Sequence, residues 1–286
     1  MRLDDGRESS NVEDRRGFGA VSGGAGKIGI GTIVIALVAM YFGVDPSVIL
    51  NGAGVANDPA STQQSQQRQP TDPAEDSKVK FVSTILADTE DTWKMLFQQI
   101  GKQYEEPKLV LFTGATQTAC GTGQSAMGPF YCPTDRKVYI DLAFYKDLQD
   151  RFHAPGEFAQ AYVIAHEVGH HVQTLLGISG KVQQLRQSSR SEAKSNALSV
   201  KLELQADCFA GVWAFHANQA RSILESGDIE AGLNAASAIG DDRLQTQAQG
   251  YAVPESFTHG SSAQRVEWFK RGLAQGNMQQ CDTFAS

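Results

Sequence analysis

Two histidines and a glutamate lie close together in the segment His166-Glu167-Val168-Gly169-His170. Four positions on an α-helix amount to about 400° of rotation and about 6 Å of rise, so the imidazoles of His166 and His170 project from one face. Both rings can therefore bind one tetrahedral metal ion. Glu167 lies about 100° further round the helix, where its carboxylate can reach a water molecule at the metal without being a ligand itself. The pattern predicts a Zn²⁺ ion with a general base beside it.

The apolar residues on both sides of this motif indicate that it lies on a helix over about 157–176. Gly169 lowers helix propensity by about 1 kcal/mol relative to Ala, and we attribute its presence to close packing against a neighbouring element. The alternative is a pair of core histidines in a buried helix. Burying two histidines and a glutamate without partners is costly, which favours the metal site.

A third ligand is expected further along the chain, in Glu203-Leu204-Gln205-Ala206-Asp207. Glu203 and Asp207 are four residues apart and face the same way on a helix. The longer glutamate can reach the metal, whereas the shorter aspartate is suited to accept the N–H of a ligating histidine. A solvated acidic face is the alternative, and the apolar neighbours on this segment weigh against it.

A group that stabilises the oxyanion would complete a hydrolytic site. The candidates are His259 and Arg265, which lie at the start of a predicted last helix. A helix cap with a surface salt bridge explains these two residues equally well. The other histidines, His153, His171 and His216, receive no role.

Composition divides the chain into four parts. Residues 1–27 are polar and glycine-rich. Residues 28–50 begin with an uncharged apolar run, which fits a short membrane helix of roughly 17–25 residues. Residues 51–78 are rich in Gln, Ser, Pro and Asp, as disordered linkers are. Residues 79–286 have the composition of a globular domain, so we expect a tail, a transmembrane anchor, a linker and one domain.

The direction of the predicted anchor follows from the charges beside it. Basic residues precede the apolar run, and none occurs between Asp45 and Gln67. The positive-inside rule then puts residues 1–27 in the cytoplasm. The prediction is a single-pass inner-membrane protein with its domain on the periplasmic or extracytoplasmic side. A cleaved signal peptide and a buried core helix are the alternatives.

The four cysteines form no C-x-x-C pair, which argues against a zinc finger. In an oxidising compartment they can form two disulfides, each worth roughly 2–4 kcal/mol. We favour Cys120 with Cys132, closing a glycine-rich loop, and Cys208 with Cys281, tying the C-terminal tail to the second ligand helix. A thiolate metal ligand at Cys208 is the alternative.

Residue patterns within the domain favour a helix-dominated α+β fold with a few short strands. Helices are predicted at about 80–103, 157–176, 181–226 and 262–275, strands at 109–112 and 138–140, and a loop over 120–132. If the strand at 138–140 lies at a sheet edge near the metal helix, an extended peptide could pair with it.

Charge excludes one class of partner. The chain of 286 residues has a net charge of −7 and no cluster of Lys or Arg that could neutralise phosphates, so nucleic acid is not expected to bind. A protein or peptide substrate and the membrane are the expected partners, and the oligomeric state is left open.

Beyond these separate features, the chain resembles a known family. HExxH followed by a helical Glu-x-x-x-Asp resembles the gluzincin class, and the chain looks like the bacterial predicted neutral zinc metallopeptidases of the YpfJ type. The resemblance implies a zincin-like domain with His166, His170 and Glu203 as zinc ligands and Glu167 as catalytic base. The matching segments are NVEDRRG (11–17), ACGTGQSAMGPFYCPTDRKVYIDL (119–142), HEVGHHVQ (166–173), ELQADCFAG (203–211) and HGSSAQRVEWFKRG (259–272).

The function expected from the sequence is therefore a membrane-anchored peptidase that hydrolyses peptide bonds with a zinc-activated water. Two alternatives remain. One is another zinc hydrolase, a carboxypeptidase or amidase acting on cell-wall peptides. The other is a non-catalytic zinc-binding envelope protein, against which Glu167 argues because structural zinc needs no general base.

Overall fold

The computed structural model describes residues 1–3, 6–17 and 73–285. The chain divides into two compact units: Met1–Arg15 together with Asp72–Ser286, and Arg16–Thr71. The second unit lies almost wholly outside the described residues. In the described part of the first unit the strands are β1 (Val12–Asp14), β2 (Lys108–Phe112), β3 (Ala115–Thr118), β4 (Gly121–Gln124), β5 (Phe130–Cys132) and β6 (Lys137–Asp141).

The first helix lies between β1 and β2, and the other α-helices of the described residues follow β6. The helices are α1 (Pro73–Gln99), α2 (Ala143–Asp150), α3 (Glu157–Leu175), α4 (Ile178–Ser188), α5 (Glu192–Arg221), α6 (Asp228–Ala238), α7 (Asp241–Gln249) and α8 (Ser262–Gln275). Three short 3₁₀ helices lie at Ser125–Met127, Pro254–Ser256 and Met278–Cys281. The helix-rich α+β class is as predicted.

Four of the strands form one sheet in the order β1-β2-β6-β5. The pairs β1–β2 and β2–β6 are parallel, and β5 runs antiparallel to β6. Strands β2 and β6 are apolar on both faces, as expected for central strands covered on both sides. Alternate residues, including Leu109 and Ile140, pack into the main helical core, while Val110, Phe112 and Tyr139 belong to a second cluster of buried residues.

Two expectations, an edge strand at 138–140 and a loop over 120–132, are corrected. The strand at 138–140 forms as predicted, but it lies inside the sheet between β2 and β5, so its backbone groups are already paired. The predicted loop over 120–132 instead contains strand β4, which pairs with β3 in a hairpin, and the edge strand β5. Sequence alternation cannot reveal strand order, which is set by pairing between distant segments.

The predicted helix over 181–226 is divided into α4 and α5 at 189–191. Ser189 and Ser191 bond to each other there: the Ser189 hydroxyl donates to the Ser191 carbonyl at 3.0 Å. Serine side chains compete in this way for backbone groups and interrupt helices. The break separates α4 from α5, and α5 packs against α3.

Residues 1–3 and 6–15 pack on the domain, whereas the sequence led us to expect a separate tail over 1–27. Strand β1 extends the sheet beside β2. The Ser9 hydroxyl donates to Glu90 Oε1 at 2.6 Å, and Arg7 donates to Asp91 Oδ1 at 2.8 Å. A strand of three residues is too short to show an alternating pattern in the sequence, which is why this element was missed.

The transmembrane helix that formed part of the predicted fold is a further correction. Across residues 1–3, 6–17 and 73–285, no helix combines the length and the apolar character needed to cross a bilayer. The predicted anchor at 28–50 lies outside the described residues. The prediction is corrected to a helix-rich α+β fold, and the described residues support neither the membrane helix nor the single-pass inner-membrane location that depended on it.

Candidate metal centre

Helices α3 and α5 cross at a position where one of them has no side chain. A Cβ added at Gly169 would lie 3.0 Å from the Ala206 carbonyl oxygen and 3.2 Å from its Cα. Glycine therefore permits the backbones to approach this closely, as the sequence led us to expect. The consequence is that residues one turn before and after Gly169 on α3 face the segment of α5 around Ala206.

This crossing brings the three predicted ligands together. Ligand atoms of His166, His170 and Glu203 all lie within 4.8 Å of one another. Glu203 Oε2 is 3.2 Å from His166 Nε2, and Glu203 Oε1 is 3.5 Å from His170 Nε2. Burial would raise the pKa of Glu203, but the two histidines outweigh it and hold that pKa well below its usual range. Two imidazole nitrogens and a carboxylate thus converge on one point.

The His166 ring is oriented by a buried charged group. Asp207 Oδ1 accepts the His166 Nδ1 proton at 2.8 Å. The same carboxylate accepts two hydrogen bonds from Arg265, from Nε to Oδ2 and from Nη2 to Oδ1, both at 2.9 Å. Tyr162 donates its hydroxyl to Asp207 Oδ1 as well. Burial would lower the pKa of His166, but Asp207 outweighs it and raises that pKa to about 10 in the metal-free protein.

The His170 ring is oriented differently, by an amide. Its Nδ1 lies 2.9 Å from Gln173 Oε1. The Gln173 amide nitrogen donates to the Leu202 carbonyl at 2.7 Å and lies 3.2 Å from Gln205 Oε1. Gln173 has no role in the sequence-based prediction. Its place in the segment HEVGHHVQ, three residues after His170 on the same helical face, is the signal that could have revealed it.

The residues present fit a zinc ion. Zinc is bound by imidazole nitrogen and carboxylate oxygen, and a catalytic site uses three protein ligands. Both histidines have their Nδ1 engaged by an acceptor, which leaves Nε2 for the metal. His166, His170 and Glu203 are therefore the residues that would hold Zn²⁺.

Glu167 is buried beside this cluster, with 8% of its surface exposed. Burial raises its pKa, and the neighbouring histidines only partly offset that effect. Within the described part of the chain its carboxylate receives no protein hydrogen bond, so it remains available to a water molecule. A carboxylate with a raised pKa is suited to take up and release a proton near neutral pH.

The two candidates for the oxyanion lie in different settings. Arg265 is 2% exposed and adjoins the Nδ1 side of His166, where its bonds to Asp207 occupy it. It is neither a surface residue nor half of a surface salt bridge. The His259 side chain is 53% exposed and its Nδ1 lies 3.2 Å from Asp241 Oδ1. The cap of helix α8 is Ser261, which forms a capping box with Gln264.

The positive charge of His259 also acts on the metal cluster, because it helps to lower the pKa of Glu203. Asp241 fixes the turn that carries it: Oδ2 accepts the backbone N–H of Thr258 at 2.7 Å, of His259 at 2.6 Å and of Gly260 at 3.1 Å. Partial loss of hydration would lower the pKa of the His259 ring, but Asp241 and Glu203 raise it.

The three histidines without an assigned role make no hydrogen bond to the metal ligands among the described residues. His171 is fully buried, its Nε2 donates to the Glu105 carbonyl at 2.6 Å, and its Nδ1 lies 3.0 Å from the Tyr131 hydroxyl. Burial lowers the pKa of His171 to about 4, so it is neutral. His216 Nε2 donates to the Gly276 carbonyl at 2.8 Å. His153 lies between α2 and α3 and has a positive φ.

Both favoured disulfides are present. Cys120 bonds to Cys132 and Cys208 bonds to Cys281, and within the described residues no cysteine is free. The thiolate alternative at Cys208 is thereby excluded. The second bridge joins the C-terminal tail to α5 at the residue that follows Asp207.

Comparison with known proteins agrees with this centre. The family model described as "Putative neutral zinc metallopeptidase" matches residues 1–284. The chain belongs to this zinc metallopeptidase family. The match covers the N-terminal segment that carries β1 as well as the metal centre.

Similar proteins occur in other bacteria. "Uncharacterized protein YpfJ" of Escherichia coli K12 is 55% identical over 292 residues, covering 99% of each chain. "Uncharacterized protein Rv2575" of Mycobacterium tuberculosis H37Rv is 41% identical over 217 residues, covering 72% of each chain. No solved structure is significantly similar to the chain.

Proposed function

We propose that this protein is a zinc-dependent peptidase that hydrolyses peptide bonds, with Glu167 as general base. The observation that carries the proposal is the convergence of His166, His170 and Glu203 within 4.8 Å, with Glu167 buried beside them. A site that only stored zinc for structure would be closed by a fourth protein ligand and would need no adjacent base.

When bound, zinc supplies a Lewis acid that polarises the scissile carbonyl and lowers the pKa of a water towards about 7. Glu167 accepts a proton from that water as its oxygen attacks the carbonyl carbon. The C–N bond then breaks, and Glu167 returns the proton to the leaving amine. The raised pKa of Glu167 makes its carboxylate a stronger base towards the water and lets it hold the proton until the more basic leaving amine takes it.

His259 is proposed to donate a hydrogen bond to the developing oxyanion. Asp241 holds its Nδ1 side, so the opposite nitrogen, Nε2, is left for the substrate. Arg265 is assigned instead to the support of Asp207 and His166, because its donors are already used there.

A protein or peptide is the proposed substrate. Strand β5 lies at an edge of the described sheet and is tied to the metal helix through Tyr131 and His171. An extended chain can pair with such an edge. This takes the role that the sequence had suggested for the strand at 138–140.

The test compares two variants of the full chain by metal analysis and by cleavage of unfolded proteins. Glu167→Gln should keep zinc but lose about 10²–10⁴-fold in rate, because an amide cannot accept the proton. His170→Ala should lose zinc and activity together. Equal rates for Glu167→Gln and wild type would refute the mechanism. Cleavage only of substrates with a free C-terminus would indicate the carboxypeptidase alternative.

A further inference from the structure

Behind His170 a line of buried amides leads away from the metal centre to the C-terminal tail. Gln173 is fully buried and Gln205 is 4% exposed. Gln205 Nε2 donates to the backbone carbonyl of Cys281 at 2.9 Å. Cys281 is itself buried and is bonded to Cys208 on α5. Three links therefore connect a ligand side chain to the tail.

The orientation of each amide is fixed by a backbone carbonyl. The Leu202 carbonyl accepts only, so it must face the Gln173 nitrogen, and Gln173 Oε1 must then face His170. In the same way the Cys281 carbonyl must face the Gln205 nitrogen, which turns Gln205 Oε1 towards Gln173. Every donor in the line points away from the metal centre and every acceptor points towards it.

Such a line decides which nitrogen of His170 carries a proton. Gln173 Oε1 can only accept, so His170 must be protonated on Nδ1, and Nε2 keeps its lone pair for a metal. Hydrogen bonds aligned head to tail in a buried setting polarise one another, which strengthens the acceptor at the end of the line. A change at the tail can therefore alter the strength of the hydrogen bond that orients His170.

We propose that Gln173 and Gln205 are positioning residues for His170, and that through them the disulfide-closed tail around Cys281 holds the metal ligand in place. The proposal rests on the zinc site proposed above. It adds a dependence of zinc retention on a segment that contributes no ligand. It also gives the Cys208–Cys281 bridge a second effect besides stability, because the bridge fixes the carbonyl at which the line begins.

The tail offers a matched control for this proposal. The Thr283 hydroxyl donates to the Lys201 carbonyl at 2.7 Å, so it ties the same tail to the same helix without entering the amide line. Thr283 is 6% exposed, comparable with Gln205. Thr283→Val removes this bond with little change in volume. Gln205→Met likewise removes the amide of Gln205 while keeping a side chain of about the same length.

The experiment measures the zinc dissociation constant of the full chain by competition with a chelator, and the exchange of the His170 Nδ1 proton by NMR. Gln173→Leu should weaken zinc binding by about 10–100-fold. Gln205→Met should weaken it by about 3–10-fold, as a more distant member of the same outer shell, and should speed exchange of the Nδ1 proton. Thr283→Val should stay within about twofold of wild type, because it leaves every amide in place.

The outcomes separate this proposal from the zinc site itself. A wild-type chain that binds no zinc would refute the site and the proposed function. Zinc binding by wild type with no change in Gln205→Met would refute only the amide line. An equal loss in Gln205→Met and Thr283→Val would also refute it, since general loosening of the tail would then suffice. If Gln205→Met does not fold, Gln205→Asn, one methylene shorter, is measured in its place.

Discussion

His166 and His170 lie one helical turn apart on α3, and each presents its Nε2 to Glu203. On the far side of the two rings the surroundings differ. The His166 proton is received by a carboxylate that a buried arginine neutralises. The His170 proton is received by a neutral glutamine that leads through a second glutamine to a backbone carbonyl.

This difference predicts different responses to damage. A buried ion pair gives little net stability when complete, but removing one partner leaves an unpaired charge and costs about 3–5 kcal/mol. A neutral amide that loses its partner leaves only a dipole without a bond, at about 1–3 kcal/mol. The His166 side should therefore govern whether the domain folds, and the His170 side should govern how well it retains zinc.

The largest expected effect follows from Asp207→Ala. Arg265 would keep its charge at 2% exposure without a carboxylate, so the metal-free protein should lose about 3–5 kcal/mol of unfolding free energy. Urea denaturation measures this. The double variant Asp207→Leu with Arg265→Met should recover most of the loss, because neither member of this ion pair then remains as an unpaired buried charge. Recovery should not extend to zinc affinity, since His166 still lacks its acceptor.

A wild-type unfolding free energy for Asp207→Ala would contradict the comparison outright. Failure of the double variant to recover would show that packing around Asp207, and not the charge on Arg265, makes this side of the centre sensitive.

A smaller loss of unfolding free energy is expected from a substitution at the point where α8 approaches α5. A Cβ at Gly272 would lie 1.9 Å from the Cys208 carbonyl oxygen, which is backbone and cannot rotate away. Gly272→Ala should push α8 outward and shift Arg265 from Asp207, at about 1–3 kcal/mol for overpacking. The same urea denaturation measures it, with Gly180→Ala as control, because a Cβ there meets nothing within 4 Å.

The supports of His166 and His170 are independent of each other if Gly272→Ala disturbs the His166 side alone. NMR should show a shifted His166 ring and an unshifted His170 ring, since Gln173 and Gln205 make no bond to α8 among the described residues. Equal shifts at both rings would show that α8 supports the centre as a whole.

The His166 side was accessible from the sequence and the His170 side was not, for a physical reason. Asp207 is charged and sits four residues from Glu203 on an apolar helix, so its burial needs an explanation that a ligating histidine provides. Gln173 and Gln205 are neutral, and glutamine is common on exposed helix faces. Their role depends on the crossing of α3 and α5 and on the path of the tail, neither of which a local pattern encodes.

The fold divides in the same manner. Helices α3 and α8 and strands β2 and β6 were predicted because their apolar spacing is local. The position of β6 inside the sheet, the three-residue β1 and the break at 189–191 depend on distant pairing or on side-chain bonds between serines. The predicted membrane helix rested on hydropathy at 28–50, which lies outside the described residues.

The smallest expected effect comes from an ion pair that is partly exposed to solvent. Glu13 on β1 accepts hydrogen bonds from Lys137 Nζ at 2.9 Å and from Arg15 Nη2 at 2.6 Å. Burial would raise the pKa of Glu13, but Lys137 and Arg15 outweigh it and lower that pKa to about 2. Glu13→Gln should cost about 1 kcal/mol or less at pH 7, because water screens the pair.

The dependence on pH and salt separates this pair from the buried one. A carboxyl group whose pKa is lower in the folded state stabilises the fold above its unfolded pKa of 4.5 and loses that effect as the pH falls towards 2. The unfolding free energy of wild type minus that of Glu13→Gln should therefore shrink between pH 5 and pH 3. At pH 7 it should also shrink in about 1 M salt, where charges are screened beyond about 3 Å. The loss in Asp207→Ala should persist in the same salt, since water and ions do not reach Arg265. If the difference in unfolding free energy between wild type and Glu13→Gln changes with neither pH nor salt, strand pairing at β1, and not the charge of Glu13, attaches the N-terminal segment.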